Sequence, residues 1–158
     1  MLADEEEDRT IDDSPNEGEV EFRVMGEPVP QGSTRAFITK SGRPIITHSN
    51  RNVKEWRQRI ATEAQAKRPP QWHMGSAILI NIDFFMPRPK SLPKKVEKDI
   101  KRPDLDKLIR AVLDGLTGIY YDDDSQVIGI FASKEYAGKN VAPGVQIRIL
   151  PHPARGED

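Results

Sequence analysis

Two carboxylates sit two residues apart in Arg102-Pro103-Asp104-Leu105-Asp106-Lys107-Leu108-Ile109-Arg110, at the start of a strongly helical pattern. Leu105 belongs to the apolar stripe of that helix, so Asp104 and Asp106 flank it and can converge on one exposed point. A second acidic group, Asp122-Asp123-Asp124, lies in a turn shortly beyond the helix and directly before a strand-like run. A short connection of this kind is expected to return the strand near the helix start and bring Asp124 to the pair. Carboxylates gathered in one place repel, and a hard divalent cation relieves the repulsion. Oxygen-only donors suit Mg²⁺, with Mn²⁺ able to substitute, rather than zinc. His48, His73 and His152 show none of the close spacing of a zinc site. An open Mg²⁺ held by few carboxylates keeps positions for water and a phosphate oxygen, which is the chemistry of metal-assisted phosphodiester hydrolysis.

Plainer accounts exist for both acidic groups. A helix N-terminus favours ionised carboxylates, so Asp104 can serve as an N-cap and Asp106 as a first-turn charge. Asp122-Asp123-Asp124 can be a solvated acidic turn. It is a poor Ca²⁺ loop, because it lacks the alternating ligands, central Gly and terminal Glu of that motif.

The elements that must position these groups are legible in periodicity. Val20 to Val24 alternates apolar and polar, the period of a half-buried strand, and Gly26, Pro28, Pro30 and Gly32 then punctuate a loop. Ala36 to Thr39 and Pro44 to Thr47 flank Lys40-Ser41-Gly42-Arg43 and predict a hairpin. Asn50 is placed to cap a helix running to about Lys67, with Val53, Trp56, Ile60 and Ala61 at helical spacing before Pro69-Pro70. Ala77 to Met86 is a β-rich apolar run suited to a central strand. Leu105, Leu108, Ile109, Val112, Leu113 and Leu116 form the stripe of a second helix, which Gly115 and Gly118 are expected to end. Two strand-like runs follow, Gln126 to Tyr136 and Val145 to Leu150, and no internal repeat is visible.

Charge is divided unevenly. The 158 residues carry a net −1, yet residues 1–19 hold nine acidic side chains and one Arg. That stretch is therefore −8 and the remaining 139 residues are +7. The acidic tail buries too little apolar surface to order itself. The basic remainder favours a polyanionic partner. Residues 87–103 concentrate seven Lys or Arg against two acids and read as a basic loop. There is no cysteine, which excludes disulfides, thiolate metal sites and a cysteine nucleophile and suits a reducing cytoplasm. No apolar run approaches the roughly 20 residues of a membrane helix, and the first residues are acidic where a signal peptide is basic, so no membrane role is expected.

The segment RPDLDKLIRAVLDGLTGIYYDDDSQV, residues 102–127, closely resembles the RusA family of Holliday junction resolvases of phages and prophages. A looser similarity takes in Val24-Met25-Gly26-Glu27-Pro28-Val29-Pro30, the hairpin, the Trp56 helix and Lys134, so it covers about residues 20–150. The resemblance implies a small α/β (α+β) single domain over residues 20–151, a mixed sheet packed by two main helices, between the acidic tail 1–19 and a C-terminal tail 152–158. It implies a two-fold homodimer, as suits a four-way junction that needs two symmetric cuts. It also implies Mg²⁺-dependent resolution of Holliday junctions in DNA recombination, repair or phage DNA processing in a bacterial cytoplasm. The family's catalytic aspartates fall on Asp104, Asp106 and Asp124, with Asp123 the neighbouring acid of second rank as a metal ligand. The family's catalytic lysine falls on Arg110, which keeps the charge but does not donate a proton, a role open to Lys107 or Lys134. Arg88, Lys90, Lys94, Lys95, Lys98, Lys101, Arg102 and Lys107 would contact DNA phosphates. The alternatives are a branched-DNA-binding protein with weakened catalysis and a nuclease for other branched DNA or RNA.

Overall fold

Apolar and polar side chains alternate along the strands, so one face of a sheet is committed to the core and two amphipathic helices cover it. A computed structural model describes residues 18–32, 35–38, 40–47 and 51–152. Its elements run β1 (Val20–Met25), β2 (Arg35–Ile38), β3 (Pro44–Thr47), α1 (Arg51–Lys67), β4 (Ala77–Met86), α2 (Leu105–Leu116), a 3₁₀ turn (Asp124–Gln126), β5 (Val127–Tyr136) and β6 (Gly144–His152). The main sheet has the order β1-β6-β4-β5, and β2 and β3 form a separate antiparallel hairpin. β6 pairs antiparallel with β1 and β4, whereas β5 runs parallel to β4. A parallel neighbour cannot be reached through a tight turn, and α2 supplies the crossover. The fold is the mixed α+β sheet with two main helices that the resemblance implies.

The core lies between that sheet and the helices. β1 contributes Val20, Phe22 and Val24, β4 contributes Ile78, Ile80, Ile82, Phe84 and Met86, and β6 contributes Val145, Ile147 and Ile149. Val53, Trp56, Ile60 and Ala64 of α1 and Leu108, Ala111, Val112 and Leu116 of α2 close it. Each such large side chain contributes roughly 1.5–3 kcal/mol by leaving water. Tyr120, just beyond α2, stacks near Phe22 at 6.3 Å and takes the edge of Trp72 at 5.0 Å. Its hydroxyl donates to Ala64 O at 3.0 Å, and Trp72 Nε1 donates to Tyr120 O at 2.9 Å. Burial pushes the Tyr120 hydroxyl up to about 12.

One helix signal worked differently from expectation. Gly115 is buried inside α2 and does not end it. A Cβ there would lie 2.9 Å from Ile60 Cγ2 and 3.3 Å from Arg57 O, so glycine lets α2 approach α1. Thr117 is the C-cap, and Gly118 follows at φ +87°, the left-handed conformation that glycine adopts without strain. The Asn50 cap falls outside the described residues, as do residues 1–17 and 153–158 of the two tails; Glu19 pairs with Arg148 at 3.7 Å, and β6 continues through His152. Among the described residues no helix is long and apolar enough to cross a membrane.

Candidate active site

Asp104 occupies the N-cap position of α2 with extended backbone, but its side chain makes no capping hydrogen bond. Its oxygens are therefore not consumed by the helix, as a purely structural cap would require. Asp106 stands in the first turn. Both carboxylates are exposed, and Lys107 Nζ lies 3.8 Å from Asp104 Oδ2 and 4.0 Å from Asp106 Oδ2. One ammonium thus faces both acids, partly offsetting their mutual repulsion. Arg110 is exposed one turn further along α2.

The segment that delivers Asp104 is held from the sheet. Lys134 Nζ donates to Pro103 O at 2.8 Å and also to Lys101 O. A β5 side chain therefore fixes the backbone immediately before the acidic pair. A charge-assisted contact of this kind is among the stronger hydrogen bonds. The Arg102–Pro103 peptide is cis.

Beside Asp104 opens a cleft of about 660 Å³, lined by Pro28, Trp56, Arg59, Arg102, Asp104 and Lys107 among others. Gly26 forms part of its wall at φ +127°, where a Cβ would strike Arg59 Nη1 at 2.8 Å and crowd Trp56 Cζ3 at 3.2 Å. Arg59 Nη1 donates to Met25 O at 3.0 Å, and Gln31 N donates to Lys107 O at 3.0 Å. The loop after β1 is in this way tied to both helices.

Asp124 lies elsewhere. It opens the 3₁₀ turn that leads into Val127, and Val127 pairs with Ile78 at the start of β4. Lys134, which reaches the Asp104 segment, pairs with Phe84 near the opposite end. Seven strand residues separate these positions, about 23 Å at 3.3 Å per residue. The short connection after α2 returns the chain at the C-terminal end of that helix, so one chain does not bring Asp124 to Asp104 and Asp106. Among the described residues, no group of three or more His, Cys, Asp or Glu is placed to hold a metal ion.

The acidic turn has its own organisation. Asp123 accepts from Ser125 N at 2.9 Å, and Gln126 Oε1 accepts from Asp122 N at 2.9 Å and Asp123 N at 3.1 Å. Gln126 Nε2 donates to Met74 O at 2.6 Å and Ser76 O at 3.0 Å, clamping the turn to the strand entrance. The Ser125 N–H holds the Asp123 carboxyl below its ordinary value. Asp124 is shifted upward, first by desolvation, then by its hydrogen bond with Asp123, the charge of Asp123 and that of Asp114. Gln126 was not among the expected site residues, although Asp123-Asp124-Ser125-Gln126 carries the acceptor-x-x-Gln spacing of a capping box. Asp114 accepts from Gln31 Nε2, and Gln31 Oε1 accepts from Arg57 Nη1 at 2.7 Å.

The basic loop divides into strut and surface. Arg88 donates to Pro93 O, Lys94 O and Val96 O at 2.7, 2.8 and 2.9 Å and lies over the Tyr136 ring at 6.0 Å, so its guanidinium shapes the loop from within. Lys98 pairs with Glu135 at 3.6 Å. Lys90, Lys94, Lys95, Lys98, Lys101 and Arg102 are exposed along the loop that ends at Asp104.

With this geometry in view, residues 26–150 match the family model described as endodeoxyribonuclease RusA. The chain belongs to the RusA family. Its segment 102–127, with the acidic pair and the acidic turn, lies inside the matched region. The chain is also similar to the uncharacterized protein YqaN of Bacillus subtilis (strain 168), 31% identical over 140 residues, which span 82% of this chain and 94% of YqaN. Membership makes it an endodeoxyribonuclease of a family of Holliday junction resolvases, with branched DNA as substrate and divalent-metal dependence. The Asp104 and Asp106 oxygens are hard donors of the kind that would hold such an ion, with waters and a substrate phosphate filling its remaining positions.

Proposed function

We propose that this RusA-family chain is a Mg²⁺-dependent Holliday junction resolvase, with Mn²⁺ able to substitute. It makes paired phosphodiester cuts in four-way junctions as a two-fold homodimer, in the cytoplasm of a bacterial host during recombination, repair or phage DNA processing. The observation that carries this is an uncapped, exposed Asp104 beside Asp106, at a helix start that a basic loop and a cleft adjoin.

Each metal site is shared between protomers. Asp104 and Asp106 come from one protomer, and Asp124, with Asp123 beside it, from the other. β5 is an edge strand, and it exposes Ile128, Ile130 and Phe131, with Phe131 68% accessible. A long apolar edge is a liability unless a partner covers it. A two-fold axis crossing β5 near these residues exchanges the ends of the strand. It carries the acidic turn of each copy toward the Lys134 end of the other, where Asp104 and Asp106 stand. The same operation generates two sites related by symmetry, one for each cut.

The bound ion supplies charge neutralisation at the phosphate and activation of the attacking water. Lys134 acts before the chemistry, fixing the Lys101–Pro103 backbone so that Asp104 is presented at a constant angle. Arg110, at the position of the family's lysine, offers a planar fork to the phosphate oxygens and steadies charge without giving up a proton. Lys90, Lys94, Lys95, Lys98, Lys101 and Arg102 contact phosphates of the arms and set affinity more than sequence choice.

The test incubates a synthetic four-way junction with the wild-type protein and Asp106→Asn, each with Mg²⁺, Mn²⁺ or chelator. Paired incision by the wild type with either metal, lost in the variant and with chelator, is expected. Equal cutting by both proteins refutes the assigned site. Tight junction binding without incision in either metal assigns the chain to the branched-DNA-binding class with lost catalysis.

A further inference from the structure

Ile100 is 92% exposed, in the middle of the basic loop. A lone surface isoleucine is ordinary in itself. What sets this one apart is the way it is held. Asp99 beside it is only 7% exposed, its carboxylate accepts from Lys101 N at 2.9 Å, and the Tyr136 hydroxyl feels its charge. Tyr136 N donates to Glu97 O at 2.8 Å, and Lys101 O accepts from Lys134 Nζ. Residues 97 and 101 are thus fastened to the end of β5 with Asp99 buried between them, and Ile100 is turned outward on a fixed ledge. Exposed cations, Lys98, Lys101 and Arg102, stand on both sides of it.

We propose that Ile100 is a wedge that enters the base stack of branched DNA beside the cleaved strand. This rests on the junction-nuclease function proposed above and names how that site distorts its substrate. The flanking cations hold phosphates on either side of the step, and the aliphatic side chain takes the place of a stacked base, as apolar wedges do in proteins that kink DNA. Four residues separate Ile100 from Asp104, at most about 14 Å of extended chain. At 3.4 Å per base step along a strand, the opened step lies within about four steps of the cut phosphate. A branch point, where stacking is already interrupted, is the place where insertion costs least.

The experiment uses full-length protein and a four-way junction carrying 2-aminopurine at successive positions within four steps of the mapped cut, with Ca²⁺ in place of Mg²⁺ so that binding proceeds without turnover. The wild type raises the fluorescence at one position several-fold. Ile100→Ala loses that rise and cuts about tenfold more slowly in Mg²⁺ while binding nearly as well, and Ile100→Leu retains both. Ile100→Lys binds more tightly yet does not restore the fluorescence. Absence of a rise with the wild type, an unchanged rise with Ile100→Ala, or wild-type behaviour from Ile100→Lys overturns the wedge. Failure of the wild type to cut any junction sinks the nuclease function instead, and is read independently of Ile100.

Discussion

A shared metal site makes a prediction that a site contained in one chain cannot imitate. Asp106→Asn and Asp124→Asn are each expected to abolish incision, because each removes a donor from both sites of a homodimer. Mixed and allowed to exchange subunits, the two inactive proteins regain activity. In the mixed dimer one site receives both substitutions, and the other receives the intact Asp104 and Asp106 of one chain with the intact Asp124 of its partner. With random exchange half of the dimers are mixed and each has one working site of two, so about a quarter of the wild-type sites return. They return as single nicks rather than paired cuts. The expectation rests on the distances within one chain. α2 alone spans about 18 Å between the acidic pair and the acidic turn. Mg²⁺ accepts oxygens at 2.0–2.1 Å, so no rotamer of Asp124 closes a gap of that size within one chain. Nicking of a supercoiled plasmid bearing an extruded cruciform separates the products, since single nicks give relaxed circles and paired cuts give linear DNA. If the mixture stays as inactive as its components, while labelled subunits are seen to exchange, the shared site is refuted.

Two further outcomes follow from named contacts. Lys134→Met removes both hydrogen bonds to the Lys101 and Pro103 carbonyls, so a higher Mg²⁺ requirement and a lower kcat are expected, with junction binding in Ca²⁺ little changed and a stability loss of about 1 kcal/mol in urea. Unchanged Mg²⁺ dependence would remove Lys134 from the positioning of Asp104. Tyr120 is pushed up to about 12 in the fold against an ordinary 10.0, so the unfolded chain gives up this proton first as pH rises. The share of stability held by Tyr120 is whole below about pH 10 and is lost as pH rises to 12, on the order of 1–2 kcal/mol after screening, and Tyr121, also raised by burial, adds to the same decline. Denaturation of Tyr120→Phe should show a shallower decline over that interval, and a decline as steep as that of the wild type places the alkaline sensitivity in another group.

The elements were legible because each carries its own period. Ala77–Met86 and Leu105–Leu116 have the bounds that their apolar runs predict, since burial on one face fixes where a strand or helix begins and stops paying its ordering entropy. Gly115 misled for a reason outside its own segment. A glycine near a helix end reads as a terminator, and only the neighbouring α1 with Ile60 turns it into a contact point. The acidic residues follow the same division. Asp104 and Asp106 are local to one helix start, so their spacing in the chain is their spacing in space. Asp124 is set by direction, because a helix that runs back along its sheet and a strand that returns parallel place successive turns at opposite ends. Sequence proximity after α2 therefore means spatial proximity to Asp114, whose charge acts on Asp124, and not to Asp104. Under the proposed shared site the missing operation is a two-fold rotation, whose trace in the sequence would be weak: three exposed apolar residues, Ile128, Ile130 and Phe131, on one strand. Periodicity places such residues on a strand, but only the sheet order, with β5 at the edge, leaves them without a neighbouring strand on that side among the described residues, where the proposed second copy would bring both cover and a carboxylate.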